Sequence, residues 1–438
     1  KWGAPVAVRA LKRFAADYAA KEGIGPTPPR AEANGHKVAI VGSGPAGLMA
    51  GYRLAVRGYD VTIFEAMEIA GGALAACIPE YRLPNSVLRR DVERIEQAGV
   101  KIRTSTRIGK DVPFAKLRED FDAVFVATGA HASRKLGIAG EDAEGVLDAM
   151  EFLKNVNLNN QVELGRRVGV IGGGNSAVDA ARVALRVEPC EEVLVIYRRT
   201  REEMPAFEEE VEAADEEGIR FHFLAAPSRV IVRDGKVAGV ECLRMELGEP
   251  DESGRRRPVP IEGSEFAIEL DTLIVAIGEH PADDFLGEAH GLSVTRWGTA
   301  KVSPETLVTN VEGVFAGGDI VTGPNTVIEA MAAGKLAAEM IDRYVRGEPV
   351  KREYGLLRPT RYEPPVELTE EEIEGATRPA TPTLPVEERL KGLAEVDLPY
   401  TAEMAVAEAR RCLRCDLETV HAKCALERIQ SEGESHGG

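Results

Sequence analysis

Two stretches of the chain share one arrangement of apolar and polar positions. In "KVAIVGSGPAGLMAGYRLAVRGYDVTIFEA", Lys37 to Ala66, a lysine precedes four apolar residues. A glycine turn follows, then a helix of alanines and leucines ending near Gly58, then the strand "DVTIFEA". Continuous apolar runs of this length suit strands buried on both faces. The unit predicts parallel strands joined by a right-handed crossover. "RRVGVIGGGNSAVDAARVAL", from Arg166, repeats the pattern and is followed by "EEVLVIYRRT". "FDAVFVATGA" and "DTLIVAIGEHP" match as a pair, each an apolar strand running into a Gly turn. "GVFAGGDIVTGPNTVIEAMAAGKLAAEMI" closes the core with a strand, a Gly-Gly-Asp turn and a long helix.

The order is first unit, inserted second unit, return to the first. It predicts an α/β chain with an N-terminal helical segment at 1–35 and a first nucleotide-binding domain at 36–150 and 271–345. The second domain is expected at 151–270. Beyond Tyr344 the chain turns rich in Pro and Glu with weak periodicity, which predicts an extended tail over 346–438 ending in a helix.

Composition narrows the function classes. The net charge of −18 argues against nucleic acid and anionic membrane as partners. No apolar run reaches the ~20 residues of a membrane span. The first twenty residues carry no cleavage signal and read as an amphipathic helix on a cytoplasmic protein. Six scattered cysteines are too few for a disulfide scaffold.

The two glycine turns carry the chemistry. In the first, Gly42, Gly44 and Gly47 fit G-x-G-x-x-G, with Ser43, Pro45 and Ala46 between them. Gly42 permits the turn, Gly44 lets a pyrophosphate approach, and Gly47 lets helix and strand pack closely. Phosphates would sit on the helix N-terminus. Glu65, 23 positions after Gly42, is placed to accept hydrogen bonds from a ribose diol. In the second turn Gly172, Gly174 and Ala177 stand in the same places, with Asn175 and Ser176 between them. Its closing strand ends in Arg198 and Arg199 where an acid would sit. A guanidinium fork suits a 2′-phosphate, hence NADP(H); an Arg can also stack on adenine and serve NAD(H). Ala276 and Gly278, where the strand of "DTLIVAIGEHP" runs into its Gly turn, are counted among the NAD(P)-binding residues. Two dinucleotides in one chain suggest a bound flavin and an exchanging nicotinamide. In the returning segment, Gly318 and Asp319 are placed at the flavin's ribityl chain. The helix starting near Asn325, Thr326 and Val327 would aim its amides at the N1–C2 edge of the ring, where reduced flavin carries charge. FAD is therefore assigned to the first unit.

The residues "VGSGPAGL", "IPEYRLP", "ATGA", "GGGNSAVDAAR", "YRRTREEMPA" and "AGGDIVTGPNTVIEAMAAGK" closely resemble the small (β) subunit of glutamate synthase. Its relatives are the flavin halves of dihydropyrimidine dehydrogenase and of the bifurcating ferredoxin:NADP transhydrogenase. The resemblance runs from about Pro5 to Cys415. It implies two interleaved Rossmann-like domains of the pyridine nucleotide-disulfide reductase type, FAD on the first loop and NAD(P)(H) on the second. It also implies that Gly71, Gly72, Ile78, Pro79, Arg82 and Leu83 lie beside the flavin and that Thr128 and Gly129 contact it. Members of this family usually carry an N-terminal domain with cysteines for two iron–sulfur clusters; here no cysteine precedes Cys77. The usual Gly-Ile-Pro is Cys77-Ile78-Pro79, a thiol that could react with or tune the flavin, or simply fill space. The relatives ending in a helix like "EARRCLRCD" look like nicotinamide-coupling subunits of hydrogenases, formate dehydrogenases or tungsten aldehyde oxidoreductases. The expectation is a subunit that exchanges hydride between NAD(P)(H) and FAD and passes electrons to or from an iron–sulfur partner subunit. A glutamate synthase small subunit and a stand-alone flavin oxidase or diaphorase are the alternatives. A thioredoxin-reductase-type enzyme would need a Cys-x-x-Cys in the second domain, and Cys190 and Cys242 are far apart.

Cys412, Cys415 and Cys424 cluster near the C-terminus. Three readings stay open: reduced thiols on a packed helix, an iron–sulfur cluster completed by a partner, or zinc with His421 as fourth ligand.

Overall fold

The computed structural model describes residues 4–24, 30–251, 254–281, 290–355, 369–371, 376–412, 414, 423–424 and 426–427. The chain divides into two units. The larger is Pro28–Arg352 with Pro385–Glu395; the smaller joins Lys1–Thr27, Glu353–Leu384 and Val396–Gly438.

The larger unit holds two sheets of one design. The strands, in chain order, are β1 Lys37–Val41, β2 Asp60–Phe64, β3 Lys101–Arg103, β4 Ala123–Val126, β5 Ala132–Ser133, β6 Val146–Asp148, β7 Arg167–Ile171 and β8 Glu192–Tyr197. They continue as β9 Arg220–Phe223, β10 Ala225–Arg233, β11 Lys236–Pro250, β12 Arg256–Pro260, β13 Phe266–Ile268, β14 Thr272–Val275, β15 Glu279–His280 and β16 Val314–Ala316. The first sheet runs β16-β4-β1-β2-β3, the second β6-β14-β7-β8-β9, and every pairing in both is parallel. Strands β4, β1, β2 and β3 of the first sheet correspond to β14, β7, β8 and β9 of the second. The apolar runs of β1 and β7 are buried after their first residue, as parallel strands covered on both faces require. The antiparallel pair β5–β15 links the two halves.

The pairing moves the expected domain boundaries. β6 and β14 flank one another in the second sheet, in register Leu273 with Val146. The second domain therefore takes in 146–150 and 271–275, which the sequence reading assigned to the first; both strands need the second sheet to satisfy their backbone groups. After Phe223 the chain makes a long antiparallel excursion, with β10 and β12 on either side of β11.

Gly42, at φ +102, turns sharply at the end of β1. A Cβ there would lie 2.4 Å from the Ala127 carbonyl oxygen, so the ends of β1 and β4 meet as closely as backbone allows. The helix Pro45–Ala55 follows at once, and a Cβ on Gly47 would stand 2.0 Å from the Gly42 oxygen. The long helix Val327–Val345 crosses it where Gly334 meets the Ala46 oxygen, 2.2 Å from the position of a Cβ.

In the smaller unit the expected N-terminal helix runs Val8–Lys21 and the C-terminal one Ala402–Arg410. Ala7, Tyr400 and Ala405 form its core, with Leu11, Phe14 and Met404 packed on it. Buried Glu408 accepts from the Ala7 amide at 2.6 Å and from Arg411 at 2.7 Å. Among the described residues no helix is long and apolar enough to cross a membrane.

Candidate nucleotide sites

The first-loop residues converge on one place. Glu65, buried at the end of β2, has one carboxylate oxygen accepting from the Ser43 amide at 2.9 Å and its hydroxyl at 2.6 Å. The other accepts from the Met67 amide at 2.8 Å. The acid expected at a ribose thus also holds the loop. Ser43 Oγ in turn accepts from the Gly71 amide at 3.0 Å. Gly72 lies against the loop, its Cβ position 2.8 Å from Gly44 Cα. Gly44 itself has nothing within 4 Å of where its Cβ would stand. That open face is where a pyrophosphate could approach. Gly318 touches Ala46, with 3.0 Å between its Cβ position and the Ala46 Cβ. Gly129, at φ +76, and Thr128 continue the strand end that Gly42 touches. The long helix begins beside these with Thr326 as its cap; the Thr326 hydroxyl accepts from Glu329 N, and Glu329 returns to Thr326. Asn325 Oδ1 accepts from the Thr326 amide at 2.9 Å, and Val327 is the first helical residue.

Asp319 is the clearest sign that something polar belongs here. Its Oδ1 is buried with no partner among the described residues, a costly state unless a ligand completes it. Burial pushes its carboxyl up to about 6, against the Asn325 amide that donates to it. A hydroxylated chain would supply the missing donor. Burial also raises the Cys77 thiol to about 12, which favours its neutral form.

At the second loop, Gly172 brings the ends of β7 and β14 together, its Cβ position 2.3 Å from the Ala276 oxygen. Gly174 is open, with only Pro205 at 4.0 Å. Asn175 Oδ1 accepts from the Phe207 amide at 3.0 Å. Gly278, at φ +111, turns the chain into β15. The arginine pair separates. Arg199 is buried, donating to the Arg256 carbonyl at 2.7 Å and to Asp251 at 2.8 Å, which ties β8 to the antiparallel excursion. Arg198 is exposed, and no hydrogen bond or ion pair among the described residues holds it. Of the pair, it is the one whose guanidinium stays exposed.

Arg82 reaches from the segment beside the first loop to the second unit. Its guanidinium lies not on the first loop but on the helix Asn175–Ala184 of the second, donating to Asp179 at 2.8 and 3.0 Å. Its Nε lies 3.2 Å from Glu210. Two carboxylates thus hold the half-buried guanidinium against the second-loop helix. Leu83 stays in the turn, its amide donating to the Pro79 carbonyl.

Glu279 went unremarked in the sequence. Burial pushes its carboxyl above the usual range, with Ser176 beside it opposing the shift. It lines a cavity of about 450 Å³ with Arg134, His280, Trp297, Thr322 and Gly323, beside the Asp319 turn. Its position after the Gly278 turn of "AIGEHP" was the available signal. Of the C-terminal cysteines, Cys415 lies outside the described residues, as does His421. Cys412 and Cys424 are described and exposed. No group of three His, Cys, Asp or Glu side chains able to hold a metal occurs among the described residues.

The doubled sheet, the two glycine turns and the β5–β15 link define a two-dinucleotide oxidoreductase fold. The chain belongs to the pyridine nucleotide-disulphide oxidoreductase family, whose model matches residues 36–334, and membership implies FAD and NAD(P)(H). It is 44% identical over 466 residues to the NADP(+)-dependent formate dehydrogenase subunit beta of Moorella thermoacetica, spanning 99% of this chain but 64% of that one. It is 38% identical over 351 residues to a putative glutamate synthase [NADPH] small chain of Cereibacter sphaeroides, spanning 78% of this chain and 84% of that one. The resemblance read from the motifs stands in both. FprA of Mycobacterium tuberculosis in complex with NADPH shares the fold, with a TM-score of 0.62 at 19% identity over 71% of this chain and 85% of that one.

Proposed function

We propose that this chain is the FAD-containing NAD(P)H oxidoreductase subunit of a larger redox complex. It would exchange hydride between NAD(P)(H) and FAD and pass electrons to or from an iron–sulfur partner subunit. The observation that carries the reading is the asymmetry of two otherwise matched loops: the first ends in the buried carboxylate of Glu65, the second in exposed Arg198.

In this reading FAD takes the first loop, Gly42 to Gly47, with Glu65 at the ribose, Gly71 and Gly72 beside the phosphates, and Thr128 and Gly129 against the ring system. The Asp319 oxygen without a partner accepts a ribityl hydroxyl, and the helix from Val327 points its free amides at the ring. NADPH takes Gly172 to Ala177, with Arg198 at the 2′-phosphate. Bound flavin supplies two-electron and one-electron chemistry in turn. The protein's part is to orient the two rings, keep water out and hold charge; Glu279, beside Ser176 and the cavity, is placed to face the nicotinamide. The formate dehydrogenase relative, named as a subunit beta, supports a partner subunit. The glutamate synthase relative favours a second reading, a small subunit serving glutamate synthesis.

The test is purification with flavin and anaerobic mixing with NADPH, followed by a one-electron dye. Dye reduction without turnover of glutamine plus 2-oxoglutarate supports the first reading. Glutamate formation on adding a glutamate synthase large subunit supports the second, and absence of flavin after reconstitution sinks both.

A further inference from the structure

One segment, residues 71–82, touches the first nucleotide loop and the helix that follows the second. At its start, the Gly71 amide donates to Ser43 Oγ and Gly72 packs on Gly44. Midway, the Ile78 carbonyl accepts from the Asn157 side chain at 2.8 Å, at the end of the helix Ala149–Asn157 that follows β6. At its far end, Tyr81 and Arg82 sit on the second-loop helix. Tyr81 is buried, and its hydroxyl donates to Asp179 Oδ1 at 3.1 Å. Arg82 bonds both oxygens of the same carboxylate. Arg182 and Arg186 lie over the Tyr81 ring, their guanidinium carbons 4.5 and 4.8 Å from its centre. Arg182 pairs with Glu210 and Glu217, and Arg186 with Glu217. Three cations, Arg82, Arg182 and Arg186, thus meet three anions, Asp179, Glu210 and Glu217.

A buried ion network contributes little net stability relative to apolar packing, yet it admits one geometry. Asp179 stands five residues beyond Gly174 on a helix, roughly 8 Å along its axis from the second loop. The segment is therefore a strut between the two loops, pinned at both ends by buried polar contacts. We propose that Arg82, through Asp179, is a positioning residue: it sets the distance and angle between the two nucleotide sites that hydride transfer needs. This rests on the proposed function. Arg82 touches neither nucleotide in this scheme; it acts through the helix that carries the second loop.

The test compares wild type with Arg82→Met, Arg82→Lys and Asp179→Asn in the flavin-loaded protein. NADP⁺ affinity should change little, because no phosphate contact is lost. The limiting rate of flavin reduction should fall by about tenfold to a hundredfold, the scale of an ångström-sized misplacement. The long-wavelength absorbance of stacked nicotinamide and flavin should weaken in step, and Arg82→Lys should recover part of both. Flavin-free protein gives an independent reading: by small-angle scattering, Arg82→Met should be more extended than wild type. A lowered melting temperature with unchanged reduction rate, absorbance and scattering would make the network merely structural and overturn the proposal. Should wild type bind flavin yet fail to be reduced, the functional reading fails, and scattering still decides the strut.

Discussion

Gly44 and Gly47 sit three residues apart and predict opposite failures. Gly47 has no room: Gly47→Ala sets a methyl 2.0 Å from the Gly42 oxygen and should cost about 1–3 kcal/mol, read as a lower melting temperature. Gly44 has open space, so Gly44→Val should fold normally and purify colourless, because the side chain fills the pyrophosphate's approach. The arginine pair divides similarly. Arg198→Ala should weaken NADPH by about 1.5–3 kcal/mol, roughly ten- to a hundred-and-fifty-fold, and leave NADH nearly unchanged. Arg199→Ala should lower stability instead, since it breaks contacts to Arg256 and Asp251; titration of both nucleotides beside a thermal melt separates the two roles. Asp319 predicts a pH effect in flavin-free protein. Its carboxyl, raised to about 6 by burial, keeps a proton that the unfolded chain loses near 4. Its contribution to stability is therefore present at acid pH and lost as pH rises through 6. Asp319→Asn should melt like wild type below pH 4 and above it at pH 7. Equal melting at pH 7 would show that the buried carboxylate carries no penalty.

At the scale of elements, the strand–turn–helix units were legible because four-residue apolar runs, glycine turns and alanine-rich helices leave few alternatives. β1, β2, β4, β7, β8 and β14 all fall where the pattern predicts. What pattern could not tell was partnership. "DTLIVAIG" has the periodicity of a buried strand whichever sheet receives it, and only pairing with β6 and β7 places it in the second. The same holds for Arg82: its motif marks a loop, but the carboxylates that capture it come from residues 97 and 128 positions away. Arg198 and Arg199 look equivalent in sequence and differ because adjacent residues at a strand end face opposite ways. The excursion β10–β13 is held to the second sheet in part by Arg199, so an Arg199 variant should expose it to protease before the sheets themselves yield.

For the whole molecule, the duplicated sheet answers why one chain repeats a glycine turn: each copy presents its strand ends to one dinucleotide, and the β5–β15 link and the 71–82 strut keep the copies in register. The smaller unit has its own core around Ala7, Tyr400 and Ala405, and removing residues after Val345, which takes most of it together with Pro385–Glu395 of the larger unit, should leave flavin retention intact while altering partner capture. The most direct measurement is an anaerobic titration of the flavin-loaded chain with NADPH, followed by its absorbance. The account predicts one FAD per chain, fully reduced by one equivalent of NADPH, with Arg198→Ala requiring higher NADPH concentration for the same end point. A bound flavin that neither NADPH nor NADH reduces would contradict it.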